Sequence, residues 1–144
     1  MIVPDVNLLI YAYDTACTDH REAREWVEKV FSGYEPIGIP WQNVTAFLRI
    51  LTNPGLFGER FTMSQVIAIV DEWVEMTHVR VLTPGEHHWV LFREMLVQGN
   101  VRGKITTDAA LAALTIEYGG VLYTNDRDFA RFPGLRWKNP LQQT

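Results

Sequence analysis

The sequence predicts an α/β protein, a three-layer α/β/α sandwich built on a parallel sheet of four or five strands. Short apolar runs of strand length alternate along the chain with longer segments whose apolar residues recur at helical spacing. Those longer segments are the crossovers that parallel strands require. No internal repeat, linker or low-complexity stretch interrupts the alternation, so residues 1–144 are expected to form one domain. With 47% hydrophobic and 21% charged residues, the composition is that of a globular protein rather than a disordered chain.

Residues 2–4 read as the first strand and residues 6–13 as a short helix at the sheet's carboxyl edge. Asp19 is placed to cap a helix over residues 20–31, in which Ala23, Trp26, Val27 and Val30 form an apolar stripe that Gly33 ends. Residues 37–39 are a brief buried strand. Residues 41–51 form a helix stopped by Thr52, Asn53, Pro54 and Gly55. Thr62 or Ser64 caps the next helix, which runs to about Glu75 with Val66, Ile69, Val70 and Trp73 inward, and residues 79–82 form the strand after it. A helix over residues 86–97 places Trp89, Phe92 and Leu96 on one side and ends at Gly99 and Asn100. Thr107 is expected to cap an alanine-rich helix that Gly119 and Gly120 break. Residues 121–123 then form a central strand, 128–132 a single helical turn and 135–137 an edge strand.

Three aspartates, Asp5, Asp108 and Asp126, each stand where an apolar strand gives way to a helix or turn, or in a helix's opening residues. Strand ends of an open parallel sheet gather distant residues into one crevice. Two carboxylates about 5 Å apart repel by roughly 3 kcal/mol at an effective dielectric near 20, so such a cluster calls for a cation. A hard, oxygen-seeking ion, Mg2+ or Mn2+, suits it. Each residue also has a plainer role: Asp108 suits the first turn of a helix, Asp126 a turn, and Asp128 the cap of the last short helix, which leaves it a secondary candidate. Asn7 is placed to orient Asp5 or to cap the first helix, and Thr124 to line the pocket through its hydroxyl.

The formal charge of −4 argues against a generic nucleic-acid binder. Its distribution is uneven: residues 1–100 carry seven Lys/Arg against thirteen Asp/Glu, and residues 101–144 carry six against four. Arg102, Lys104 and Arg127, with Arg131, Arg136 and Lys138, are therefore candidates to meet phosphates around the acidic pocket. Cys17 is the only cysteine, which rules out an intramolecular disulfide and a cysteine-rich zinc site. His87 and His88 are adjacent and so diverge on a helix, and His20 and His78 have no partner at ligand spacing, which argues against zinc. No secretory leader or membrane-length apolar run stands out, and a cytoplasmic location is expected. The five Trp fall mainly in apolar stripes, so core packing is the first reading, with Trp41 and Trp137 left open to base stacking.

Together these residues resemble the PIN-domain ribonucleases, and within them the VapC toxins of type II (VapBC) toxin-antitoxin pairs. The resemblance rests on Asp5-Val6-Asn7-Leu8-Leu9-Ile10-Tyr11-Ala12, on Phe47-Leu48-Arg49-Ile50-Leu51-Thr52-Asn53-Pro54, and on the stretch from Thr107-Asp108 to Pro140, with Thr124-Asn125-Asp126-Arg127-Asp128-Phe129 inside it. It implies a PIN-like sandwich, Mg2+- or Mn2+-dependent endonucleolytic cleavage of RNA, and a metal site at Asp5, Asp108 and Asp126. It further implies a VapB-type antitoxin that blocks the pocket, a toxin homodimer, and contact with operator DNA only through the antitoxin.

Two departures from the family pattern stand out. Most members carry a glutamate on the helix over residues 41–51, roughly at Ala46, yet this chain has no acid between Glu35 and Glu59. Gln42, Asn43 and Thr45 are the nearby polar residues, and neutral oxygens bind such ions less strongly than carboxylates. Val6 stands where many members have Thr or Ser. The missing acid keeps open a catalytically impaired PIN-like binding module. A haloacid dehalogenase-like phosphatase also begins from an Asp after the first strand, but it needs an acid two residues later, where this chain has Asn7.

Overall fold

The computed structural model describes residues 1–58 and 60–141. Five strands, β1 (Ile2–Pro4), β2 (Ile37–Pro40), β3 (Val79–Leu82), β4 (Val121–Tyr123) and β5 (Trp137–Lys138), form one sheet in the order β3-β2-β1-β4-β5. Every pairing is parallel, with Ile2 opposite both Ile37 and Val121. The strands are short and almost wholly apolar because both faces of the sheet are covered.

Side-chain alternation along the strands feeds two cores. Ile2, Ile37, Ile39 and Val79 pack on one face with α1 (Val6–Tyr11), α2 (His20–Phe31), α3 (Trp41–Leu51) and α5 (Met63–Glu75). There Phe47 lies against Trp73 at 4.6 Å between ring centroids. Val3, Leu82 and Leu122 face the other way, against α6 (His88–Gln98) and α7 (Ile105–Glu117). Ala109, Ala112 and Ala113 on α7 are fully buried, as small side chains that allow close helix approach must be. These are the layers of an α/β/α sandwich.

Several expected boundaries move, each for a local reason. The first helix stops at Tyr11 rather than Tyr13, and its N-cap is Asp5 rather than Asn7. Asp19 holds the cap position of α2 but makes no side-chain capping bond. Pro54 does not simply end the preceding helix: with Asn53 capping through Gly55 N–H at 2.9 Å, it opens the short helix α4 (Pro54–Phe57), since proline suits a first helical turn. Thr62, not Ser64, caps α5, in a reciprocal box with Gln65.

On the other face, α6 runs over His88–Gln98 and buries Met95, with Leu91, Phe92 and Leu96 partly covered. Trp89 is 63% exposed instead of inward, because this helix is apolar nearly all round and periodicity cannot choose its buried side. Helix α7 begins two residues before Thr107, which is thus interior; Gly103, at φ 57°, makes the left-handed break that lets it start early. The last turn is a 3-10 helix, Arg127–Arg131, capped by Asp126 and not by Asp128. The edge strand falls at Trp137–Lys138, later than expected.

Candidate metal centre

Strand order sets the site. From β1 the chain passes first to β2 and β3 on one side and then returns to β4 on the other, so the connections diverge between β1 and β4. Such a divergence leaves a crevice at the carboxyl ends of the two strands. Asp5 follows β1 there, and Thr124 follows β4.

A hydrogen-bonded chain links the two strand ends. Thr124 Oγ1 donates to Asp5 Oδ2 at 2.7 Å and accepts from Asp126 N–H at 3.0 Å, while Asp126 Oδ1 accepts from Asp128 N–H at 2.9 Å. Thr124 is fully buried and Asp5 only 7% exposed. Burial pushes the Asp5 carboxyl above its ordinary value; the Thr124 hydroxyl pulls the other way, as do the backbone amides of Val6 and Asn7, which face the group without closing a capping bond. Asp126 nearby pushes it up again. The Asn7 side chain makes no hydrogen bond to Asp5, whose side-chain partner is Thr124.

Asp108 reaches the crevice from the opposite layer, in the first turn of α7. Its pKa is pushed up to about 6, first by burial and then by Asp5, Asp126 and Asp128, with Arg131 opposing. Four carboxylates from three elements thus share one electrostatic field. Among the described residues, no three His, Cys, Asp or Glu side chains stand close enough to form a ready-made cage. The donors are oxygens throughout, and the buried Asp5 carboxylate has a single side-chain hydrogen bond to offset its desolvation, so the set suits a hard divalent ion.

Arg102, Lys104 and Arg127 are all exposed, the first two at the start of α7 and the third opening the 3-10 turn. None takes part in an ion pair among the described residues. Two surface hollows, about 280 Å³ on the outer face of α6 and about 330 Å³ beside α2, contain none of these aspartates. The carboxylate crevice is marked by its charge.

Three residues take roles here other than those expected of them. Asn43, 3% exposed, donates from Nδ2 to the Pro4 carbonyl at 2.8 Å and so holds the end of β1 beside Asp5. Its signal in the sequence is position: it shares the apolar stripe of Val44, Phe47 and Leu51, and a buried amide needs a partner. Gln42 donates from Nε2 to the Thr107 carbonyl at 3.3 Å, joining α3 to the turn that carries Asp108. Arg131 is the cation that opposes the rise at Asp108, and its guanidinium reaches the Gly99 carbonyl at 3.4 Å. Nothing local in the sequence singles it out from the other arginines of this region.

Comparison with known proteins agrees with this architecture. The PIN domain family model matches residues 2–135. Ribonuclease VapC33 of Mycobacterium tuberculosis is 36% identical over 143 residues, covering 99% of this chain and 100% of that protein. Among solved structures, VapBC2 from Rickettsia felis, bound to a DNA fragment from its promoter, superposes with a TM-score of 0.68 at 17% identity, covering 96% of this chain and 98% of that one. VapC20 of Mycobacterium tuberculosis, described as a sarcin-ricin loop cleaving toxin, gives 0.67 at 20% identity, with 94% and 99% covered. A sheet ordered β3-β2-β1-β4-β5, a family match over residues 2–135 and an end-to-end relative at 36% identity make this chain a member of the PIN-domain family, in its VapC ribonuclease branch.

Proposed function

We propose that this protein is the toxin of a VapBC-type toxin-antitoxin pair, acting as a single PIN domain in the cytoplasm. In this reading it is an endoribonuclease that uses Mg2+ or Mn2+ held by Asp5, Asp108 and Asp126. The observation that carries it is the gathering of Asp5, Asp108, Asp126 and Asp128 at the divergence of β1 and β4, where burial first and then the three neighbouring acids lift the Asp108 pKa to about 6. Acids gathered at such a cost to the metal-free fold indicate a cationic ligand. The VapC relatives are named ribonucleases, and solved VapBC complexes supply the precedent for an antitoxin partner. A homodimer, and DNA contact only through the antitoxin, follow from the family.

When bound, a divalent ion supplies an activated water and neutralises charge on the phosphoryl oxygens. The chain's own residues do the rest. Thr124 fixes one oxygen of Asp5 and thereby aims the carboxylate along the carboxyl edge of β1. Asp126 is held in turn through its backbone N–H by the same hydroxyl, so one side chain bridges the two acids. Asp108 contributes from the other layer, where its carboxylate would complete the set of oxygens that hold the ion. Arg102, Lys104 and Arg127 meet the phosphates on either side.

The test is incubation of purified protein with structured RNAs in Mg2+, in Mn2+ and in EDTA, beside Asp5→Asn and Asp108→Asn. Cleavage in metal that chelator and both substitutions abolish is the expected result. Cleavage indifferent to all three would refute the mechanism. The absence of an acid at Ala46 favours one alternative, a binding module without catalysis, which predicts no RNA cleavage in any metal but retained capture of an antitoxin. Release of phosphate from small esters would point instead to a phosphatase, against which Asn7 counts.

A further inference from the structure

Trp41 opens α3 directly after β2, on the carboxyl edge that also carries Asp5. The residue is 53% exposed, whereas Trp73 is core and Trp26 stacks on Tyr123 at 5.2 Å. The two residues after it anchor this turn beside the crevice. Gln42 bonds the carbonyl of Thr107, the neighbour of Asp108, and Asn43 bonds the carbonyl of Pro4, the neighbour of Asp5. The turn that carries this exposed tryptophan is thereby tied to the neighbours of both Asp108 and Asp5.

What shares its face decides what it meets. One and two turns further along α3 stand Thr45 and Arg49, both exposed, so the ring belongs to a polar and cationic stripe rather than to an apolar patch of the kind a protein partner covers. Exposed apolar residues do line up elsewhere, as Val90 and Val97 on α6 and as Met63, Ile67 and Val74 on α5. Beyond the crevice, exposed Lys104 and Arg102 lead into α7. An exposed aromatic residue on the edge that carries the acidic site, with exposed cations on its own helix and at the start of α7, is the combination that binds single-stranded nucleic acid, with a base on the ring and phosphates on the charges.

We propose that Trp41 is a substrate-binding residue, a stacking platform for an unpaired base next to the scissile phosphate. This rests on the ribonuclease reading and makes its substrate RNA that is unpaired at the cleavage site, since a paired helix hides its base faces.

The experiment first maps cleavage by the wild type on mixed-sequence single-stranded oligoribonucleotides in Mn2+. Initial rates are then measured for wild type, W41F and W41A on the cleaved substrate and on copies carrying one abasic position beside the mapped bond. Circular dichroism confirms that the exposed substitution leaves the fold intact. W41A is expected to raise KM by about 5- to 150-fold with kcat little changed, as loss of one stacked base would. W41F should retain most of the affinity, and the W41A penalty should vanish on one of the abasic substrates, which a merely structural role would not produce. A W41A variant equal to wild type on intact RNA overturns the assignment, leaves ribonuclease function standing and returns the ring to a protein partner. A W41A penalty that persists at every abasic position also overturns it. Wild-type protein that cleaves no RNA removes both readings.

Discussion

Asp108 sits in the first turn of α7, where the helix dipole favours a carboxylate, yet burial and three neighbouring acids lift its pKa to about 6. The folded value exceeds the unfolded 3.8, so the favourable contribution of this group to stability is fully present below 3.8 and is lost as pH rises through about 6. In metal-free protein, Asp108→Asn should therefore raise the Tm near neutral pH, and the gain should fade at about pH 4. The side chain is only half-buried, so solvent screening keeps the gain modest. Melting curves of both proteins in EDTA across pH check this. Thr124 acts in the opposite sense, because its hydroxyl lowers the pKa of Asp5. Thr124→Val keeps the shape but removes the donor to Asp5 and the acceptor for Asp126 N–H. It should cost about 1–3 kcal/mol in urea unfolding at neutral pH. It should also shift the acid limb of the cleavage profile to higher pH, while Thr124→Ser restores both.

At the scale of elements, α3 does more than fill the first core. Its buried stripe contains Asn43, the side chain of which ties the helix to the end of β1. Asn43→Ala strands the Pro4 carbonyl and should destabilise the protein by about 1–3 kcal/mol. Because Pro4 precedes Asp5, cleavage should fall by more than the loss of folded protein explains, which kcat at a temperature well below the Tm would reveal. Equal proportional losses in folded fraction and in rate would assign Asn43 to stability alone. This helix was legible in the sequence to both ends, Trp41 and Leu51, since β2 and Pro54 bracket a clear helical period. The cross-links from Gln42 and Asn43 were not legible, because their partners lie in other strands and helices. Helix α6 shows the reverse case: its existence was plain, but its buried side was not, and Trp89 turned outward.

For the whole molecule, the acidic crevice is a stability liability that a cation should relieve. Millimolar Mg2+ or Mn2+ should raise the Tm by preferential binding to the folded state, and Asp5→Asn should shrink the gain. An unchanged Tm in the wild type would mean that the ion binds only with RNA or not at all. No helix among the described residues is long and apolar enough to cross a membrane. Sequence alone determined the fold class, nearly every element and the three aspartates at element ends, because strand and helix periods are local properties of side-chain spacing. Only the tertiary structure decided that β4 returns beside β1, that Thr124 bonds Asp5 from 119 residues away, and that Asp126 rather than Asp128 caps the last turn. Those outcomes depend on which surfaces pack together, and packing is settled by the fit of distant side chains rather than by any pattern within one segment.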